Sequence, residues 1–176
     1  MNAQPFTQLD MTAVVRNATQ NSKQQAEAMP AMMKALGAAG EALQAQPHFL
    51  MEKQQELAQQ HMALAASFME ALQTGSPMQD VVSPDNGDRR FNHEGWQHPV
   101  FSLMKQSYLL GASWMNTVVS GAEGLDPKTK HQATFFTQML VDAMSPSNNP
   151  MTNPEVIEKA RETGGESLRQ GMVNWL

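Results

Sequence analysis

The chain has no cysteine among its 176 residues. That absence excludes disulfide staples, thiolate metal ligands and a cysteine nucleophile from anything these residues do alone, and it fits a reducing compartment. Aromatics are scarce, at 6%, and much of the apolar content is alanine and methionine. Such side chains bury little area or pack adaptably, so a large rigid core is not expected. Basic residues number 12 against 17 acidic ones, giving a formal charge of −5, and they never cluster. Phosphate backbones and anionic membrane surfaces are both gripped by clustered cations, so no nucleic-acid partner is expected. Nothing approaches 18 consecutive apolar residues, which argues against a transmembrane segment. The opening Met1-Asn2-Ala3-Gln4-Pro5 has neither the basic nor the apolar block of a signal peptide, and a cytoplasmic protein is expected. No segment alternates with period two for long enough to make a strand, so the fold class is all-α with no sheet.

What is present changes character near Gly75. Residues 1–80 are rich in Gln, Ala and Met, whereas the remainder holds all three tryptophans and the single tyrosine. We expect a helical, partly flexible arm over 1–80, a linker over 81–90, and a helical domain over 91–176. Asp10 can cap a short helix through about Gln20, and Ala26 to Gln44 is helix-forming but broken by Pro30, Gly37 and Gly40, which predicts a frayed or bent segment. From Pro47 the pattern sharpens. Leu50, Leu57, Leu64 and Ala71 recur every seven residues, with His61 and Phe68 at the four-residue step. This stripe either meets a partner or rests on the chain's own domain. Pro99 opens a helix with Phe101, Met104, Tyr108, Ala112, Met115 and Val119 on one face, closed by Gly121 to Gly124. Asp126-Pro127 opens another, aiming Phe135, Phe136, Met139, Leu140 and Ala143 at a core. Asn153-Pro154-Glu155 repeats that start signal, and Gly164-Gly165 precedes a last helix from Glu166.

Candidate chemistry is thin. His93 and His98 flank Trp96, but their spacing is wrong for one helical face and no carboxylate or cysteine cluster completes four ligands, so no metal site is expected. His48, His61 and His131 read as polar-face or seam residues. Ser107 and Ser113 lack the Gly-x-Ser-x-Gly elbow and the oriented histidine that a serine nucleophile needs. Gly164-Gly165-Glu166-Ser167 lacks the lysine and preceding strand of a phosphate loop and reads as a turn between helices. No catalytic residue and no cofactor-binding residue is expected. Arg89, Arg90, Phe91 and Trp96 admit two readings: arginines that anchor a neighbouring domain through carboxylates and rings, or aromatics that close this domain while both arginines face water. Arg89, Arg90, Trp96, Leu50, Leu57 and Leu64 are therefore the candidate partner contacts.

The order of Asp88-Arg89-Arg90-Phe91, Trp96, Lys105-Gln106-Ser107-Tyr108-Leu109-Leu110, Glu123 to Lys130, Ser145-Pro146-Ser147-Asn148, Thr152-Asn153-Pro154-Glu155 and Gly164 to Leu168 resembles the N-terminal region of bacterial polyhydroxyalkanoate (poly-beta-hydroxybutyrate) synthases of class I type. The resemblance covers roughly residues 88–175. It departs after Ser147-Asn148, where the family usually has an aromatic and this chain has Asn149-Pro150. The resemblance implies a helical, non-catalytic region implicated in dimer formation, granule attachment, contact with phasin-type proteins and full activity of a catalytic domain. That catalytic part resembles α/β-hydrolases and uses a cysteine, an aspartate and a histidine to polymerise (R)-3-hydroxyacyl-coenzyme A, an acyltransferase reaction that releases coenzyme A. None of those catalytic residues has a counterpart here. Implied partners are the catalytic domain, a second copy, and polyester granules or their phasin-type proteins. A competing reading is a phasin-like granule-coating or adaptor protein, supported by the Met-rich first half.

Overall fold

Proline marks where the helices begin. Pro47, Pro99, Pro127 and Pro154 each stand in the first turn of a helix, where the missing N–H has no intrahelical partner to lose. The computed structural model describes residues 11–175 as backbone and, with side chains, residues 26, 28–171 and 173. In chain order it contains α1 (Met11–Gln44), α2 (Pro47–Thr74), α3 (Pro99–Gly121), α4 (Pro127–Ala143), α5 (Pro154–Glu162) and α6 (Glu166–Trp175). Short 3-10 turns lie at Arg89–Phe91, Glu94–Gln97 and Pro146–Asn148. No strand occurs among the described residues, and the fold is all-α.

Side-chain caps complete the starts. Asp126 accepts from the Lys128 and Thr129 N–H groups, both at 3.1 Å, and Asn153 accepts from Glu155 N–H at 3.0 Å. Gly75 ends α2 in the left-handed region, at φ 70°, with its N–H on the Ala71 carbonyl. The expected Asp10 cap lies outside the described residues. The expected break between Gln20 and Ala26 is absent, and α1 runs unbroken through Pro30. Pro30, Gly37 and Gly40 all sit on the exposed side, while Ala35, Ala39 and Leu43 are buried and hold the helix from the other side.

Two helical hairpins build the bundle. α3 packs between α2 and α4, and α1 lies on α4. Leu64 and Ala71 meet Leu110 and Met78 in one cluster; Ala35 and Ala39 meet Ala133 and Phe136 in a second; Leu43 meets Val118 and Ala122 in a third. The Phe49 ring lies directly on Gly121, where no side chain intervenes. With Leu64 and Ala71 near Leu110, this contact makes α2 antiparallel to α3.

Four expectations meet a different outcome. Residues 47–74, expected within the helical arm over 1–80, form a helix that packs along α3. The stretch expected as a linker begins with Val81 and Val82 packed against the Leu64–Leu110 cluster. The α3 face was phased differently: Ser102, Lys105, Gln106, Leu110 and Val118 are its buried positions, and Tyr108 is half-buried. On α4, Phe136 is buried while Phe135 is 59% and Met139 45% exposed. Adjacent helical residues point about 100° apart, so consecutive phenylalanines cannot both face one core.

Candidate functional site

The densest set of directional contacts gathers on Arg90. Its Nε donates to Asp88 Oδ1 at 3.0 Å and its Nη2 to Asp88 Oδ2 at 2.9 Å, a bidentate pair. Nη1 donates to Asp142 Oδ1 at 3.0 Å and to the Tyr108 hydroxyl at 3.2 Å. The guanidinium also lies over the Phe91 and Tyr108 rings, 5.6 and 5.7 Å from their centroids. Tyr108 in turn donates to the Val141 carbonyl at 3.2 Å. One arginine thus joins the turn at 89–91 to α3 and α4. The Asp88 carboxyl is held below its ordinary range, chiefly by its hydrogen bond with Arg90, and the Arg90 guanidinium is pushed above its own by the same bond.

Beneath this tie lies an aromatic stack. Phe91 meets Trp96 edge-on at 5.0 Å, and Trp96 meets Phe101 at 6.2 Å. Trp96 is 0% exposed. Its turn is pinned from outside, since a Cβ on Gly95 would come 2.6 Å from Pro154 Cβ. Close approach of the α5 start therefore needs glycine at 95. The Ser145 to Asn148 and Thr152 to Glu155 motifs close on each other: Thr152 Oγ1 donates to the Pro146 carbonyl at 2.6 Å and Asn153 Nδ2 to the Ser147 carbonyl at 2.8 Å. Asn149 serves this turn with polar contacts, accepting from Met151 N–H at 2.9 Å.

Gln106 does for the preceding segment what Arg90 does for the turn. It is fully buried; Oε1 accepts from Val81 N–H at 2.6 Å and Val82 N–H at 3.2 Å, and Nε2 donates to Ser102 Oγ at 3.0 Å. Lys105, also buried, reaches Asp80 at 3.7 Å. These roles of Asp88, Gln106, Tyr108 and Asp142 went unread in the sequence, where Gln106 stood only as a member of a motif and Tyr108 as a position on the apolar face of its helix.

The candidate contacts divide accordingly. Arg90 and Trp96 are brought together and spent inside the chain, whereas Arg89 is exposed beside them. Leu64 is 1% exposed, and Leu57 and Leu50 are half-buried along α2, away from the Arg90 cluster. His93 and His98 act as caps, their Nδ1 atoms accepting from Gly95 and Val100 N–H. No group of three or more potential metal ligands forms among the described residues. Neither Ser107 nor Ser113 is hydrogen-bonded to a histidine. A cleft of about 270 Å³ beside the tie is lined by Asp88, Arg90, Tyr108, Asn116 and Gln138 among others, a set with hydrogen-bonding capacity but no activated nucleophile.

The residues of this cluster fall within a family match. The model for the poly-beta-hydroxybutyrate polymerase (PhaC) N-terminus covers residues 87–176. The chain belongs to that family. A poly(3-hydroxyalkanoate) polymerase from Methylorubrum extorquens is 43% identical over 127 residues, 72% of this chain and 21% of that protein. The polymerase subunit PhaC from Rhizobium etli is 32% identical over 149 residues, 82% of this chain and 23% of its own length. The subunit from Cupriavidus necator is 38% identical over 90 residues, covering 51% and 15%. Alignments as long as the first two must reach back into α2, so likeness to PhaC extends beyond the motif-bearing half. The chain spans about a fifth of the length of these PhaC relatives. No solved structure matches it. No described helix is long and apolar enough to cross a membrane.

Proposed function

We propose that this chain is the non-catalytic accessory part of a poly(3-hydroxyalkanoate) polymerase, supporting dimerisation, granule attachment and the activity of a catalytic part that elongates a polyester from (R)-3-hydroxyacyl-coenzyme A. The observation that carries the reading is the coincidence of the family match with a self-satisfied cluster. Asp88, Arg90, Tyr108 and Asp142 bind one another and leave no free base or nucleophile. Such a cluster shapes a surface for a neighbour rather than transforming a substrate. The site of action would be the granule in the cytoplasm.

The test compares the catalytic part of a relative polymerase alone, with this chain added, and with this chain fused ahead of it. Release of coenzyme A from 3-hydroxybutyryl-coenzyme A should rise in the fusion and be absent from the chain by itself. Robust turnover by the homogeneous chain would sink the proposal. A second reading, a phasin-like coat, is favoured by methionines left in water on α1, α2 and α4, including Met33, Met62 and Met139. That reading requires tight coating of polyester particles by the chain alone, with no effect on the catalytic part.

A further inference from the structure

α2 carries two apolar stripes, and only one is covered. Leu50, Leu57, Leu64 and Ala71 face α3 and its neighbours. One residue further on, Met51, Ala58, Ala65 and Leu72 repeat every seven residues, and Gln55, Met62 and Met69 fill the steps between them; all are exposed. Met51, Met62, Met69 and Leu72 are between 53% and 68% exposed, so these large side chains stand in water. A 3.5-residue apolar spacing is that of a coiled-coil seam. The positions beside the seam are Glu52, Gln59, Ala66 and Gln73 on one flank and Gln54, His61 and Phe68 on the other, with one acidic charge among them. The remaining charges keep off it: Lys53 bonds Glu56 at 2.8 Å around the helix, and Glu70 lies on that same side. A helix face meant for water ordinarily carries charge.

We propose that this seam pairs antiparallel with α2 of a second copy, which gives a surface to the dimerisation in the reading above and rests on it. Antiparallel pairing sets each four-residue step of one helix against a seven-residue position of the other. In the register centred on Gln60, Met62 lies on Ala58 of the second copy, Met69 on its Met51 and Gln55 beside its Ala65. Two of these three layers set a long side chain over an alanine. Parallel pairing would instead stack Ala58 on Ala58 and Ala65 on Ala65, leaving gaps between Met layers. Isologous contact also needs a self-complementary surface, and neutral flanks let identical helices approach without like charges meeting. The seam is about 32 Å long at 1.5 Å per residue. Half the side of a helix of that length is on the order of 500 Å² per copy, against ~800 Å² in a standard interface. The smaller area fits a reversible, concentration-dependent dimer.

The test uses the full 176-residue chain, whose lack of cysteine makes any introduced thiol unambiguous. Mild oxidation of mixed Ala58→Cys and Met62→Cys variants should give covalent dimer, several-fold more than either variant alone. Sedimentation should show a dimer whose dissociation constant rises at least about tenfold in Met62→Glu/Met69→Glu, with unchanged circular dichroism because both positions are exposed. A chain that stays monomeric to ~200 μM, self-crosslinking of Ala58→Cys alone, or a dimer indifferent to the two glutamates would each overturn the pairing. So would a monomer that adsorbs to polyester particles through Met62 and Met69, which hands this face to an apolar surface. If the monomer still raises activity in the fusion assay, the pairing fails and the accessory reading stands.

Discussion

The stretch from Gln79 to Gln97 and the α1–α2 hairpin are attached to α3 and α4 by opposite means. The first is tied by directional bonds from a few irreplaceable groups: the Arg90 fork, the Gln106 amide and the Tyr108 hydroxyl. The second lies on α3 and α4 through alanine, leucine and phenylalanine contacts. Polar ties demand particular residues at particular places, whereas apolar packing accepts any sequence of the right volume. The difference accounts for specific motifs in one region and mere periodicity in the other.

The largest effect is expected where the polar tie meets its aromatic floor. Trp96→Ala should cost about 3–5 kcal/mol by removing a fully buried ring, read as a lowered urea midpoint. Leu64→Ala should cost about 2–4 kcal/mol, and here the comparison sharpens. Because α2 packs on α3, loss should appear as one cooperative transition seen equally by tryptophan fluorescence and circular dichroism. An early helix loss with unmoved fluorescence would mean that the hairpin melts by itself. Arg90→Ala should cost about 2–3 kcal/mol, discounted because the side chain is 34% exposed. Arg90→Lys should recover less than half of that, since an ammonium cannot fork onto Asp88.

The smallest effect is a pH dependence. The folded Asp88 carboxyl titrates below its ordinary 3.8, so the unfolded chain takes the proton first as pH falls. Its contribution is complete above that ordinary value and is lost as pH drops through the lower folded one. The stability gap between wild type and Asp88→Asn should therefore narrow from neutrality toward pH ~3. A gap that stays flat on acidification would mean that Arg90 leans on Asp142 instead.

Helix starts were the legible part, because Pro47, Pro99, Asp126-Pro127 and Asn153-Pro154 state local chemistry that no distant contact overrides. Faces were harder. α3 has neighbours on two sides, so its most buried positions include Ser102, Lys105 and Gln106, which hydropathy assigns to water. Pro30 does not end α1, since it sits on the exposed side where water can take up the carbonyl its missing N–H leaves free. The two readings of Arg90 and Trp96 could not be separated from local sequence, since Asp142 lies 52 residues away from Arg90. The Leu stripe was recognised, but nothing in it told α3 from an outside partner.

Phe49 resting on the bare backbone of Gly121 has a practical consequence. The ring and the glycine act as a gauge block, setting the distance between two hairpins at a point where the tolerance is less than one methyl group. Further along α2, Leu64 and Ala71 against Leu110 fix the same pair of helices a second time, so the row of methionines on the far side is carried by two footings. A change as small as Gly121→Ala would put a methyl group into the Phe49 ring and oblige that ring, or the helix that carries it, to give way.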